Sequence, residues 1–175
     1  MKVVVISASP RKNANTQLAM KHVFEYTKTK QVDVKFINLS EGQVECYRGP
    51  EEEYNEATKN ATKDIMDADV WLIGSPIYNS FFSSSLKNLF EYVNYKKTEG
   101  KVAGIMIMAA GNIGFIDVQT MITQLLSYFR VITNPKAVFL TVDSISDNVL
   151  SDNSAKERVR EMVDGTLKMA SKLRE

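Results

Sequence analysis

Apolar and polar positions follow two different periodicities along this chain, and segments of the two kinds alternate. Short apolar or alternating runs predict β-strands at residues 3–6, 32–39, 70–73, 102–108 and 137–142. Between them, apolar residues recur every three or four positions and predict helices at residues 18–28, 57–67, 84–95, 118–129 and 155–173. Residues 43–56 are polar and acidic and contain Gly49-Pro50, which favours a loop.

Strands that alternate with helices predict a parallel sheet covered by helices on both faces. No linker, repeat or low-complexity run divides the 175 residues, so a single domain over residues 1–175 is expected. We predict a doubly wound α/β fold with five parallel strands in the order 2-1-3-4-5. Ligands of such folds bind beyond the carboxyl ends of the strands, near the point where strand order reverses. This rule selects a first, a second and a third loop, which are residues 7–17, 74–84 and 109–115.

The first loop has the composition of a phosphate site. Ser9 and Thr16 offer hydroxyls, Asn15 offers an amide, and a helix follows directly. Arg11 offers a guanidinium that can bind two phosphate oxygens. The loop lacks both the G-x-G-x-x-G and the G-x4-G-K-[ST] patterns, so neither a dinucleotide fingerprint nor a Walker loop is predicted. The alternative is a plain strand-to-helix turn in which Asn15 or Thr16 caps the helix.

The other two loops suit a flat ligand, and each has a structural alternative. The second loop carries the aromatic residues Tyr78, Phe81 and Phe82 directly after a buried strand. Phe81 and Phe82 equally suit packing on the neighbouring helix or on a partner subunit. The third loop consists of small residues where the strand ends, so its backbone can approach a ligand closely. Alternatively, Gly111 and Gly114 provide the positive φ angles of a turn.

Composition excludes several classes of function. The hydrophobic content of 44% and charged content of 25% are those of a soluble globular domain, and a net charge of +1 predicts no nucleic-acid partner. No run of about 18 apolar residues is present and the N-terminal run is too short for a signal peptide, so no membrane partner is expected. Cys46 is the only cysteine, which excludes an internal disulfide and suits a cytoplasmic location.

Other reactive residue types are interpreted as solvated or structural. His22 lies mid-helix beside Lys21 and is expected at the surface, and Cys46 lies near Glu45, which disfavours an activated thiolate. The acidic residues 51–53 have no clustered His or Asp with which to form a metal site. We therefore assign no metal ligand and no catalytic side chain.

Several short motifs, taken as a set, resemble those of the NAD(P)H-dependent FMN reductase family. They are Ser9-Pro10-Arg11-Lys12, Asn15-Thr16, Ser75-Pro76-Ile77-Tyr78-Asn79 and Leu86-Lys87-Asn88. The resemblance covers nearly the whole chain in element order. The family includes bacterial azoreductases, quinone reductases and chromate reductases of the flavodoxin-like fold. It implies a homodimer or homotetramer with one FMN per subunit, held near a subunit boundary.

The resemblance also implies which residues bind the cofactor. The FMN phosphate would be held by Ser9, Arg11, Asn15 and Thr16, with Gln17 adjacent. The isoalloxazine ring and the ribityl chain would be lined by Pro76, Ile77, Tyr78 and Asn79. The pyrimidine edge of the ring would be contacted by residues 110–114, which include Ala110, Gly111, Asn112 and Gly114.

The reaction implied by this resemblance is a ping-pong transfer: NAD(P)H reduces FMN, and a quinone, an azo compound, free flavin or chromate then takes the electrons. Ile77 stands where many relatives carry Glu, so the acceptor side is expected to be more apolar or narrower. The iron–sulfur branch of the family is excluded because the chain has one cysteine. The alternatives are a flavodoxin-type electron carrier, although such carriers are strongly acidic, and a protein that binds another phosphorylated ligand.

Overall fold

A computed structural model describes residues 1–174, apart from the side chain of Glu41, as eight strands and five α-helices. The strands are β1 (Lys2–Ser7), β2 (Asp33–Asn38), β3 (Val70–Pro76), β4 (Val102–Ala109), β5 (Ile132–Thr133), β6 (Val138–Thr141), β7 (Ile145–Ser146) and β8 (Val149–Leu150). The helices are α1 (Asn15–Lys28), α2 (Glu56–Asp67), α3 (Ser84–Glu91), α4 (Phe115–Tyr128) and α5 (Asn153–Lys172). None of these helices is long and apolar enough to cross a membrane.

The main sheet is parallel and has the order β2-β1-β3-β4-β5, which confirms the predicted order and fold class. Two short strands share the fifth position, because β5 pairs with the start of β4 and β6 with its end. Between them, the Asn134 N–H still donates to the Ala103 carbonyl, but Pro135 has no N–H to continue the ladder. The predicted fifth strand is therefore correct at β6, whereas β5 was missed.

Two apolar layers cover the sheet, and alternate residues of each strand enter opposite layers. Val4 and Ile6 of β1 face α2, α3 and α4, whereas Val3 and Val5 face α1 and α5. In the second layer, α5 approaches β4 very closely at Gly104. A Cβ atom on Gly104 would lie 2.5 Å from Met162 Sδ and 2.7 Å from Thr166 Oγ1.

The predicted boundaries need three corrections. α1 and α4 each begin three residues earlier than predicted, at Asn15 and Phe115. The first turn of α1 is polar and gives no periodic signal, whereas Phe115 continues the buried stripe of Val118 and Ile122, so the prediction for α4 stopped one turn short. α3 ends at Glu91 rather than at residue 95. The β7–β8 hairpin was not predicted; it turns at Asp147 and Asn148, both with positive φ.

Candidate functional site

The three loops selected from the sequence meet at the carboxyl edge of the sheet and enclose a cleft of about 210 Å³. Its walls come from the first loop and α1, from the second loop, and from the ends of β4 and β6. The lining residues are Arg11, Asn13, Ala14, Asn15, Thr16, Pro76, Ile77, Tyr78, Met108, Ala109, Ala110 and Val142. Seven predicted cofactor residues therefore share one cleft: Arg11, Asn15, Thr16, Pro76, Ile77, Tyr78 and Ala110.

The first turn of α1 presents unpaired backbone amides to this cleft. Its N-cap is Ala14, which makes no side-chain capping bond, so the alternative of an Asn15 or Thr16 cap is wrong. The first backbone bond of the helix is donated by Leu18, so the N–H groups of Asn15, Thr16 and residue 17 have no acceptor within the described residues. The first turn has no acidic residue, so the positive end of the helix dipole is not neutralised there.

Cationic and polar side chains complete this wall. Arg11 is exposed and forms no ion pair with the side chains that the structure describes, so its guanidinium is available to an anion. Thr16 is buried, and Asn15 is half-buried. Gln17 lies behind the cleft, because its Oε1 accepts a hydrogen bond of 3.1 Å from the Asn13 N–H and holds the loop against the helix.

Ser9 also lies behind the cleft rather than in its wall. The Ser9 side chain is fully buried, and its Oγ accepts a hydrogen bond of 3.2 Å from the Arg11 N–H. A second hydrogen bond of 3.1 Å joins Ser9 Oγ to the hydroxyl of Tyr78, which does line the cleft. The first and second loops are thus connected through two side-chain hydroxyls.

The second loop forms a tight turn that is followed by a buried residue. Tyr78 and Phe81 exchange two backbone hydrogen bonds of 2.9 and 3.0 Å around Asn79 and Ser80, both of which have positive φ. Asn79 is exposed at the tip and does not line the cleft. Phe82 packs in the core and is 7% exposed, as the packing alternative predicted, whereas Phe81 is 48% exposed.

Buried serine hydroxyls join the second loop to the first. The Ser83 hydroxyl donates to the Ala8 carbonyl at 2.6 Å and accepts from the Leu86 N–H, so it also caps α3. The Ser83 N–H donates to Ser75 Oγ, and the Ala8 N–H donates to the Gly74 carbonyl. These bonds fix Ala8, and with it the start of the first loop, against β3 and α3.

The turn interpretation of the third loop holds at one of its two glycines. Gly114 has a φ of +85° and forms the N-cap of α4, whereas Gly111 has no positive φ, so the turn alternative is correct only for Gly114. Ile77 packs near Gly114, at 3.6 Å from a Cβ placed there. Gly111 and Asn112 are exposed beyond the lining residue Ala110.

Five lining residues were not in the sequence-based assignment, and two of them, Met108 and Val142, also lie outside the three selected loops. Met108 was interpreted as core and is 4% exposed, yet it also forms the floor of the cleft at the end of β4. Val142 follows β6 and forms a side wall. The signal that locates Val142 is its position after the fifth strand, whose carboxyl end reaches the same edge of the sheet.

His22 differs from the expectation of a surface residue. It is half-buried between α1 and α5, and its Nε2 is buried without a hydrogen-bond partner in the described part of the chain. Burial lowers the pKa of His22 below 6.5, and the positive charges of Lys156 and Arg160 lower it further. His22 is not among the residues that line the cleft.

Residues 43–56 form an ordered loop held by tyrosines. The rings of Tyr47, Tyr54 and Tyr92 contact one another, with centroids 4.9 to 6.3 Å apart. The Tyr92 hydroxyl donates to the Glu45 carbonyl at 2.7 Å, and burial is the main cause that raises the pKa of Tyr92 to about 12. Cys46 is exposed in this loop.

Fold and cleft together define a doubly wound, flavodoxin-like protein with an uncapped helix N-terminus at its topological switch point. The sequence matches the family model of NADPH-dependent FMN reductases over residues 1–144, and the chain belongs to this family. Members of the family are oxidoreductases that use FMN and a nicotinamide cofactor, so the predicted family, enzyme class and cofactors are confirmed at that level.

Individual relatives agree with this assignment. The chain is 28% identical over 134 residues to an NAD(P)H-dependent FAD/FMN reductase of Geobacillus thermodenitrificans. The aligned region covers 75% of this chain and 72% of the relative. It is 26% identical to an NADPH azoreductase of a Bacillus species, over 93% of this chain and 89% of the relative. The structure of FerB, a flavoenzyme NAD(P)H:(acceptor) oxidoreductase from Paracoccus denitrificans, superposes with a TM-score of 0.79 at 19% identity, covering 98% of this chain and 97% of FerB.

Proposed function

We propose that this protein binds FMN in the described cleft and uses NAD(P)H to reduce a small acceptor. The observation that carries the proposal is the uncapped N-terminus of α1, whose amides share a cleft wall with Arg11 and Thr16. This donor set fits a phosphate monoester, because amides, a hydroxyl and a guanidinium that pairs with no described carboxylate supply hydrogen bonds and positive charge. Bound FMN would supply the hydride chemistry between the nicotinamide and the acceptor.

The chain's own residues have separate roles in this proposal. Arg11, Asn15 and Thr16 bind the phosphate, while Ser9 and Gln17 hold the loop from behind. The ring and the ribityl chain lie along Pro76, Ile77 and Tyr78, with Asn79 at the turn. The backbone of residues 110–114, including Ala110, Gly111, Asn112 and Gly114, borders the pyrimidine edge, where N–H groups stabilise negative charge.

The acceptor is proposed to be a planar, largely apolar molecule, such as a quinone or an azo compound, ahead of chromate or free flavin. Ile77, Met108 and Val142 give the cleft apolar surfaces beside the proposed ring position, and none of them offers a charge to an anionic acceptor. An anaerobic panel of the four acceptor classes, compared by kcat/KM at fixed NADPH, tests this order. Preference for chromate would contradict it.

The primary test is cofactor binding followed by reduction. Purified protein freed of flavin is titrated with FMN, and NADPH or NADH is then added without oxygen; we expect tight binding and rapid loss of the yellow absorbance. Thr16→Val is expected to weaken FMN binding, whereas the matched control Thr27→Val, a buried threonine of the same helix that bonds only to the Val23 carbonyl, is expected to leave it unchanged. Protein that rejects FMN refutes the proposal, and bleaching that requires a protein partner supports an electron carrier instead.

We further propose that the protein is a cytoplasmic homodimer or homotetramer. A groove between α3 and α4 is lined by Tyr95 and by Tyr128, which is 64% exposed. Lys87 and Glu91 form an ion pair beside this groove, and a second copy related by a two-fold axis can present the opposite charge to each of them. Sedimentation equilibrium tests the proposal: Tyr128→Glu should yield monomers, and a monomeric parent protein would refute it.

A further inference from the structure

We infer that the hydroxyl of Tyr78 donates a hydrogen bond to the phosphate end of the bound ligand, and that Ser9 acts through Tyr78 as a positioning residue. This inference rests on the proposed binding of FMN in the cleft. It adds a phosphate contact of the Tyr78 hydroxyl to the ring and ribityl contacts proposed for Tyr78 above, and it departs from the family resemblance, which makes Ser9 a direct phosphate ligand.

The first step is the difference in exposure between the two hydroxyl-bearing residues. Ser9 is fully buried and does not line the cleft, so a ligand in the cleft does not reach its Oγ in this arrangement. Tyr78 is half-buried and lines the cleft together with Arg11 and Thr16. Of these two residues, Tyr78 is therefore the one that borders the cleft.

The second step follows from the single proton of a serine hydroxyl. Ser9 Oγ accepts the Arg11 N–H at 3.2 Å and lies 3.1 Å from the Tyr78 hydroxyl oxygen. If Tyr78 donated to Ser9, the buried Ser9 proton would have no acceptor among the described residues, which is an unfavourable state. If Ser9 donates to Tyr78, every hydrogen-bonding group of Ser9 is used and the Tyr78 proton remains for an acceptor in the cleft.

The third step is that Ser9 cannot easily move away from this role. Its neighbour Ala8 is held at its carbonyl by the Ser83 hydroxyl and at its N–H by the Gly74 carbonyl. Chained hydroxyls strengthen one another, so the proton donated by Ser9 makes the Tyr78 hydroxyl a better donor to an anion. Because Ser9 belongs to the same loop as Arg11, the hydroxyl it directs lies at the phosphate end.

The test compares FMN with riboflavin, which has the same ring and ribityl chain but no phosphate. Tyr78→Phe keeps the aromatic ring and removes only the hydroxyl, and we expect it to weaken FMN binding roughly tenfold or more, as for a hydrogen bond to a charged group. Riboflavin binding should change less than about twofold, because the missing hydroxyl has no charged partner in that complex. The matched control is Tyr92→Phe, whose hydroxyl binds the Glu45 carbonyl outside the cleft, and it should change neither affinity.

A double-mutant cycle separates positioning from direct contact. Ser9→Ala alone should weaken FMN binding, but in the Tyr78→Phe background the further loss should be much smaller, since only the bond from the Arg11 N–H to Ser9 then remains to be lost. The proposal is overturned if Ser9→Ala weakens FMN binding equally in both backgrounds, if Tyr78→Phe weakens FMN and riboflavin alike, or if Tyr78→Phe leaves FMN affinity unchanged. Failure of the parent protein to bind FMN would instead refute the proposed function itself.

Discussion

The close approach of α5 to β4 yields a quantitative prediction for Gly104→Ala. The new Cβ would lie 2.5 Å from Met162 Sδ, 2.7 Å from Thr166 Oγ1 and 3.1 Å from Leu72 Cδ2, all buried. Overpacking of this kind costs about 1–3 kcal/mol. The branched Thr166 side chain cannot rotate away freely, so α5 itself has to shift.

Such a shift also disturbs a buried polar network. Thr166 Oγ1 donates to the Met162 carbonyl at 2.6 Å and accepts from Asn134 Nδ2 at 3.0 Å. Weakening one of these bonds adds about 1 kcal/mol, so we expect a total loss of roughly 2–4 kcal/mol. For a chain of this length, that corresponds to a decrease in Tm of roughly 4–16 °C.

The assay is urea and thermal unfolding followed by circular dichroism, with Gly111→Ala as the matched control. Gly111 has no atom within 4 Å of a Cβ position and no positive φ, so its replacement should be neutral or slightly stabilising. The double variant Gly104→Ala/Thr166→Ala should lose less free energy of unfolding than the sum of the losses in the two single variants. A Gly104→Ala variant as stable as the parent would refute the reasoning. Because the family match ends at residue 144, this experiment also tests whether α5 belongs to the same cooperative unit.

Three further predictions concern the cleft and its supports. Arg11→Gln should weaken FMN binding at least ~tenfold without changing riboflavin affinity, since only the phosphate pairs with the guanidinium, whereas Lys12→Gln should have little effect; equal losses for both ligands in titration would contradict this. Ser83→Ala removes the α3 cap and leaves the Ala8 carbonyl without its donor, so the free energy of unfolding should fall by about 1–3 kcal/mol in urea titrations, and Ser83→Thr should retain most of it. The pKa of His22 is lower in the folded protein than its ordinary value of 6.5, so the unfolded chain binds more protons than the folded chain as pH falls below 6.5, and stability declines there. His22→Gln should flatten this decline in the free energy of unfolding between about pH 7.5 and 5.5. An unchanged slope of the free energy of unfolding against pH would contradict this reasoning.

The sequence predicted those parts of the site that depend on strand order. Buried runs such as residues 70–73 identify the strands, and alternation with helices fixes a parallel sheet whose carboxyl ends carry the functional loops. The three loops at the β1/β3 switch point follow from that order alone. The match to the FMN reductase family agrees with the motifs in the same loops.

The ends of helices and strands, and the choice between ligand contact and core packing for the aromatic residues, were harder to predict than the strand order. The first turn of α1 is polar and has no cap, so it lacks both the periodic and the capping signal of a helix start. The ladder between β5 and β6 is interrupted at Pro135, and the preceding Asn134 bonds through its side chain to α5, a contact between residues about 30 positions apart. Phe81 and Phe82 have the same local sequence character, yet only Phe82 enters the core.

By itself, the sequence determined the class of fold, the edge of the sheet that carries the site, and a first loop suited to phosphate, because these depend on local periodicity and residue chemistry. Only the tertiary structure decided which of those residues line the cleft. The Ser9–Tyr78 bond joins side chains 69 residues apart, and the Ser83–Ala8 bond spans 75 residues. Such contacts exist only once the sheet and its helices have packed, since packing alone determines which hydroxyl is buried and which one borders the cleft.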